Sequence, residues 1–233
     1  MSRYHQERIE RSMANKFCYA CDAAATSDEH VPPKCFFPKE RRKNLVKVRS
    51  CEEHNQRKSS EDTYALWQTA FQLGCSNVAG ELLETMKRAA ERDATVRDGR
   101  FMKRLASEHA RSGIEGVSIS DTTRLRNFHG LVAKGIYRFT TGDSLRDSLL
   151  IANHSWHPDS VDAKQKATKR RQLFENLLDG IPEEGENPEV FRFRILAKNG
   201  STLIETVFFD YVRHWAATPS ALPFQINPNT TLV

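Results

Sequence analysis

Four residues near the amino end have the types and spacing of a metal site. Cys18 and Cys21 form a C-x2-C pair, Cys51 and His54 form a C-x2-H pair, and 29 residues lie between the two pairs. Each pair presents two soft or borderline donors, and together they complete the tetrahedral shell that Zn²⁺ takes in structural sites. The spacing therefore predicts a closed, structural zinc site that supplies much of the folding energy of a segment too small for its own core.

Residues between and beside these pairs suit hydrolysis rather than architecture. Glu29 and His30 lie between the pairs, and Asn55 follows the last ligand. A histidine with a pKa near neutrality can take a proton from water at physiological pH. A carboxylate and an amide carbonyl are oxygen donors for a hard ion such as Mg²⁺ or Mn²⁺ that keeps positions open for phosphate and water. Phosphodiester hydrolysis needs both functions.

Glu29-His30, Asn44 and Asn55 resemble the conserved positions of the HNH endonucleases, the ββα-metal nucleases. The resemblance covers roughly residues 16–64 and is closest to the zinc-bearing branch. Two positions depart from the family pattern, since Glu29 replaces an Asp and the fourth zinc position is His54 instead of Cys. The resemblance implies that Glu29 and Asn55 hold a catalytic divalent ion and that His30 is the general base. It also implies that Asn44 orients the loop and the base.

Simpler interpretations stay open for individual residues. Cys35 and Cys75 lack a paired partner and are expected to be buried thiols. Asn44 could only begin a strand, and Asn55 could only cap the helix that follows it.

The acids that open this helix have two interpretations as well. Glu61 and Asp62 could be further metal ligands. Acidic residues also complement the dipole at a helix amino end, and we favour that role.

The formal net charge of +5 is concentrated in one part of the chain. Residues 34–58, here called the basic segment, contain nine basic and three acidic residues. Positive charge beside a hydrolytic site predicts contact with a phosphate backbone, without base-specific readout. The expected nucleic-acid contacts are Lys34, Lys39, Arg41, Arg42, Lys43, Lys47, Arg57 and Lys58.

Composition excludes several classes of protein. No apolar run reaches 18 residues, so no membrane span or membrane partner is expected. The charged amino end lacks the apolar stretch of a secretory signal. Unpaired thiols fit a reducing compartment, so a cytoplasmic location is predicted.

The predicted fold class is α+β in three parts. Residues 1–74 form the HNH, treble-clef-like unit: a short amino-terminal helix, strands near 27–31 and 45–49, and a helix from His54 or Asn55. Residues 75–120 form a helical connection, with helices near 77–93 and 97–111.

Residues 121–233 form an α+β domain of unassigned role. Asp121 or Thr122 caps a helix reaching Tyr137, and a further helix covers about 161–178. Asn199-Gly200 predicts the turn of a β-hairpin. Phe209, Val212 and Trp215 predict a final helix packed on that hairpin. The histidines and tryptophans of this part are interpreted as packing residues: His154, Trp156, His157, His214 and Trp215.

The sequence thus favours a metal-dependent endonuclease that hydrolyses DNA, in a setting such as restriction, phage defence, a toxin or a mobile element. The alternatives are a catalytically silent zinc module that binds nucleic acid or a partner protein, and a nuclease directed at RNA. The carboxy-terminal part could support a homodimer or bind a partner.

Overall fold

The computed structural model describes residues 3–56, 58–73, 79–96, 98–110, 121–153 and 161–221. Within these ranges the chain forms six α-helices and seven strands. The helices are α1 (Arg3–Ala14), α2 (Ser59–Leu73), α3 (Ala79–Val96), α4 (Arg100–Ala110), α5 (Thr122–Thr141) and α6 (Val161–Leu177). The strands are β1 (Ser27–His30), β2 (Lys47–Ser50), β3 (Leu150–Asn153), β4 (Glu184–Asn187), β5 (Phe191–Lys198), β6 (Ser201–Phe208) and β7 (Val212–Ala217). The predicted α+β class is confirmed.

The amino-terminal unit consists of α1, a two-stranded sheet and α2. β1 and β2 are antiparallel, with His30 opposite Lys47 and Glu29 opposite Val48. Both strands lie close to their predicted positions. α2 begins at Ser59, because the chain first makes a turn in which the amide of Gln56 bonds the carbonyl of Glu52 at 2.9 Å.

The carboxy-terminal part is a five-stranded antiparallel sheet in the order β3-β7-β6-β5-β4. β5 and β6 form the predicted hairpin, with Lys198 opposite Ser201. Asn199 and Gly200 connect them with φ values of 52° and 74°. These left-handed conformations are what a two-residue hairpin turn requires, and Asn and Gly adopt them readily.

The predicted final helix is wrong. Residues Val212–Ala217 form β7, which pairs with β6 on one side and β3 on the other. Phe209 and Asp210 have positive φ values of 53° and 60°, so the chain reverses at this point and returns beside β6. The three-residue spacing of Phe209, Val212 and Trp215 suggested a helix, but backbone pairing with two neighbouring strands decided the local structure.

α5 joins the amino-terminal unit to the sheet in one continuous core. The Asp121 side chain caps α5 by accepting a hydrogen bond from the backbone amide of Arg124, as predicted for this position. Phe36 of the amino-terminal unit packs on Phe128 of α5 and Phe208 of β6, with ring centroids 5.3 Å and 5.1 Å away. The opposite face of the sheet is covered by α6, where Phe174 packs on Trp215.

Some predicted residues lie outside the described ranges: Arg57, Cys75, His154, Trp156 and His157. His214 and Trp215 are both buried in the sheet. No described helix combines the length and apolar character that crossing a membrane needs.

Candidate metal centre and catalytic site

The four predicted zinc ligands converge. The donor atoms of Cys18, Cys21, Cys51 and His54 all lie within 4.8 Å of one another. Sγ of Cys21 is 3.8 Å from Sγ of Cys51, and Nδ1 of His54 is 3.3 Å from Sγ of Cys51 and 3.7 Å from Sγ of Cys18. Zinc–sulfur bonds of about 2.3 Å in a tetrahedron separate two sulfurs by about 3.8 Å. The donor set therefore fits Zn²⁺ in both chemistry and spacing.

Backbone hydrogen bonds build this centre from two short loops. The first loop closes when the amide of Cys18 bonds the carbonyl of Ala23 at 2.9 Å. Inside it, the amide of Ala20 lies 3.4 Å from Sγ of Cys18 and donates to it. Cys51 follows β2 directly, and His54 lies in the turn before α2. The centre thus fastens the loop before β1 to the end of β2.

The electrostatics of the centre favour a cation. Burial raises the pKa of Cys18, but hydrogen bonds with His54 and backbone amides outweigh this effect and lower it to about 5. The hydrogen bond with Cys18 raises the pKa of His54 to about 9. Burial and the neighbouring thiols raise the pKa of Cys21 to about 11. Near neutral pH, Cys21 and His54 therefore hold protons that a divalent ion would displace, whereas Cys18 is already a thiolate.

A buried arginine supports the centre from α5. Nη2 of Arg138 lies 3.3 Å from the carbonyl oxygen of Cys18 and also bonds the Ser144 hydroxyl. Its side chain is 1% exposed. Three thiolates around Zn²⁺ carry a net negative charge, so a guanidinium at this place offsets it.

His30 closes β1 beside two lysines. Burial, followed by the charges of Lys34 and Lys47, lowers its pKa to about 4, although the charge of Asp28 acts in the opposite direction. The imidazole is therefore neutral at physiological pH and can accept a proton. His30 shares the lining of a small cavity of about 10 Å³ with Lys58 and Asp62, which is close to the space of one water molecule.

Glu29 belongs to a buried ion-pair group. Nζ of Lys58 lies 2.8 Å from Oε1 of Glu29 and 2.9 Å from both carboxylate oxygens of Asp62. All three residues are less than 10% exposed. Burial raises the pKa of both carboxyl groups, and the charge of Lys58 opposes that rise.

Asn55 lies on the same side of β1 as Glu29. Its Nδ2 donates to Oγ of Ser27 at 2.8 Å and to the backbone carbonyl of Asp28 at 3.1 Å. Ser27 and Glu29 are two residues apart in a strand, so their side chains share a face. Glu29 and Asn55 are therefore brought to one side of β1 by α2 and the turn before it.

Asn44 contacts a strand of the large sheet. Its Nδ2 donates to Oε2 of Glu186 in β4 at 3.4 Å, and its φ of 53° places it in the left-handed region. Among the described residues, its side chain makes no hydrogen bond with His30. Asn44 thus links the loop before β2 to the edge of the large sheet.

The basic segment divides into exposed and paired cations. Lys34, Lys39, Arg42, Lys43 and Lys47 are exposed. Arg41 forms an ion pair with Glu189. Lys58, predicted as a nucleic-acid contact, is buried between Glu29 and Asp62.

Two residues of the site have roles that were not predicted from the sequence, since Lys58 was expected to contact nucleic acid and Arg138 had no assigned role. The pairing of Lys58 with Asp62 follows the four-residue spacing of neighbours on a helix and could have been inferred from it. The position of Arg138 beside Cys18 could not have been inferred, because the two residues are 120 positions apart in the sequence. The acids at the start of α2 are paired rather than clustered on a metal, since Glu61 bonds Nε of Arg124 at 2.6 Å.

No family model, curated protein or solved structure matches this chain.

Proposed function

We propose that this protein is a zinc-stabilised, HNH-type endonuclease that hydrolyses phosphodiester bonds in DNA. The observation that carries the proposal is the joining of β1, β2 and the start of α2 by a Cys3His centre. The donor atoms of this centre lie within 4.8 Å of one another. The centre holds together the short unit that carries His30, Glu29 and Asn55, and the proposal requires this base and the two oxygen donors to act on one phosphate.

His30 is the general base in this proposal. Its pKa of about 4 keeps the imidazole neutral at physiological pH, and the proposal requires it to take a proton from the attacking water, although a pKa near neutrality would make it a stronger base. Lys34 and Lys47 are exposed beside it and can hold the phosphate by charge. The same two cations disfavour protonation of His30. Lys34 and Lys47 would therefore both bind the substrate and keep the base neutral.

Glu29 and Asn55 supply the oxygen donors for a divalent ion. A carboxylate and an amide oxygen on one side of β1 are the ligands that Mg²⁺ or Mn²⁺ takes, and such an ion would neutralise charge developing at the phosphate. Lys58 contacts Oε1 of Glu29, so the ion would be held through Oε2 or would displace the ammonium group. Asn55 binds β1 through its Nδ2, so its carbonyl oxygen is the atom proposed to bind the ion.

The test is a cleavage assay with purified protein on plasmid DNA, single-stranded DNA and RNA. Each substrate is incubated with Mg²⁺, Mn²⁺ or EDTA. We expect nicking of plasmid DNA that stops under moderate EDTA before the zinc is lost, and returns when Mg²⁺ or Mn²⁺ is added. Glu29→Ala should lose this rescue but keep salt-sensitive binding to a labelled duplex. Normal cutting by Glu29→Ala would place the hard-metal site elsewhere.

The Glu29–Lys58 contact also favours a second candidate, a catalytically silent zinc module that binds nucleic acid through the basic segment. In that case Lys58 permanently neutralises Glu29, and no divalent ion is needed. Binding without cleavage of DNA or RNA under every metal condition would establish this alternative. Cleavage confined to RNA would redirect the substrate assignment and leave the roles of His30 and Glu29 in place.

A further inference from the structure

α6 carries the densest positive charge outside the basic segment. Residues 164–171 contain three lysines and two arginines with no acidic residue. Lys164, Lys166 and Lys169 are exposed. Lys166 is paired with Asp162 at 2.6 Å, and this acid lies before the positive stretch. Repeated positive charge on one exposed helix is the electrostatic pattern of phosphate-backbone contact.

A cleft of about 440 Å³ lies between this helix and the turn that joins β6 to β7. α6 lines it with Thr168, Arg171, Gln172 and Glu175, and the sheet side contributes Tyr211, Arg213 and Trp215. Lys164 lies one helical turn before Thr168, so it continues the same stripe along the helix. The cleft therefore has Arg171 on its helix side and Tyr211 with Arg213 on its sheet side, and Glu175 is the one acidic residue among the described residues that line it.

Tyr211 is held outward by the backbone. Tyr211 is 58% exposed, whereas most aromatic residues of the sheet are buried. The two residues before it, Phe209 and Asp210, both have φ values in the left-handed region, which costs free energy for residues other than glycine. Burial of Phe209 and the ion pair of Asp210 with Arg192 fix this turn. The turn directs Tyr211 to the cleft at some conformational cost.

We propose that this cleft binds single-stranded nucleic acid. The phosphates lie along α6 from Lys164 to Arg171, and an unpaired base stacks on Tyr211. A cationic groove with an aromatic platform is how proteins hold single strands without reading their sequence. A duplex offers its phosphates but keeps its bases stacked inside, so it cannot use Tyr211 in this way. The site is on the α6 side of the sheet and does not depend on the chemistry proposed for His30.

The experiment measures binding of a labelled single-stranded oligonucleotide by fluorescence anisotropy, without added divalent ion so that cleavage does not interfere. The wild-type chain is compared with Tyr211→Ala, Tyr211→Phe, Lys164→Glu and Arg171→Ala. We expect Tyr211→Ala to weaken binding by about fivefold or more, and Tyr211→Phe to bind like wild type because the ring remains. Lys164→Glu and Arg171→Ala should also weaken binding. Each lost phosphate contact should reduce the slope of log affinity against log salt by about 0.7.

Lys103→Glu is the matched control for charge. Lys103 lies on α4, is exposed and pairs with Asp98. Lys103→Glu therefore changes the net charge by the same amount as Lys164→Glu, but on a different helix. It should reduce binding less than Lys164→Glu. The proposal is overturned if wild type does not bind single strands, if Tyr211→Ala binds like wild type, or if Lys103→Glu weakens binding as much as Lys164→Glu. An equal loss of affinity for a matched duplex in Tyr211→Ala would likewise overturn the single-strand assignment.

Discussion

The ammonium nitrogen of Lys58 lies 2.8 Å from Oε1 of Glu29, the residue immediately before the proposed base His30. This contact joins the start of α2 to β1 and crosses the site where a divalent ion is proposed. A cation from the protein itself thus neutralises the carboxylate, and Asp62 completes the group from the next turn of α2. The stability of the amino-terminal unit and its proposed chemistry therefore depend on the same side chains.

Replacing Lys58 by Met should destabilise the protein by about 3–5 kcal/mol near neutral pH, because two buried carboxylates lose their counter-ion. Burial already raises the pKa of Glu29 and Asp62. Without Lys58 the folded state binds more protons than the unfolded state, so the variant loses stability as pH rises. The stability difference from wild type should be smaller at about pH 5 than at about pH 8 in urea titrations. Lys103→Met, which breaks an exposed pair, should change stability by at most about 1 kcal/mol.

His30→Ala should abolish DNA cleavage while the zinc content and melting temperature stay near those of wild type. General-base removal costs about 10²–10⁴-fold in rate, and His30 is not a zinc ligand. Because the pKa of His30 is lowered to about 4, the cleavage rate of wild type should not fall through protonation of this base until the pH is well below 6. The pH profile of plasmid nicking measures this. Retained cleavage in His30→Ala would reject the mechanism.

Elemental analysis should find about one zinc per chain, since four ligands form one closed site. Cys18→Ser and Cys51→Ser should lose zinc and unfold the amino-terminal unit, because the binding energy of the metal is folding energy. Cys35→Ala is the matched control. Burial, with the charge of Asp62, raises the pKa of Cys35 to about 12, so this half-buried residue is a protonated thiol outside the ligand set. If Cys51→Ser keeps zinc and stability, the ligand assignment is wrong.

Two glycines of α5 should respond in opposite directions to the same substitution. A Cβ at Gly135 would come within 2.7 Å of both methyl groups of Val31, whereas a Cβ at Gly130 would meet only Ile151 at 4.0 Å. Gly130→Ala should raise the stability of the helix by up to about 1 kcal/mol. Gly135→Ala should lower the melting temperature and displace Val31, which follows His30, and so reduce cleavage. Equal melting temperatures for the two variants would contradict this packing.

A buried histidine should contribute to the loss of stability in acid. The ring of His129 stacks on His214 with centroids 3.3 Å apart, and burial lowers its pKa to about 3. An unfolded histidine takes a proton near pH 6.5, so between these values the unfolded state binds more protons and stability falls as pH falls. At about pH 5 this term is worth about 2 kcal/mol. In urea titrations, His129→Leu should therefore lose less stability between about pH 7 and about pH 5 than wild type. Equal losses of stability in wild type and His129→Leu would show that another group causes the loss of stability in acid.

Local patterns in the sequence were sufficient to predict two features of the structure, the metal-ligand cluster and one hairpin turn. The spacing of Cys18, Cys21, Cys51 and His54 predicted the cluster, because zinc imposes one ligand number and geometry. Asn199-Gly200 predicted its hairpin because the turn needs residues that tolerate positive φ.

Contacts between distant segments could not be derived in this way. The sequence alone could not show that residues Val212–Ala217 complete a sheet, because the strands that pair with them decide their conformation. Nor could it show that Lys58 pairs with Glu29 instead of contacting a phosphate. The fold buries the Lys58 side chain, and a buried charge is stable only beside an opposite charge. The packing of Phe36 on Phe208 likewise depends on α5 bringing the two units together. The sequence determined which residues could bind metal and where the turn between β5 and β6 forms, and the tertiary structure decided which charges are paired and which remain exposed.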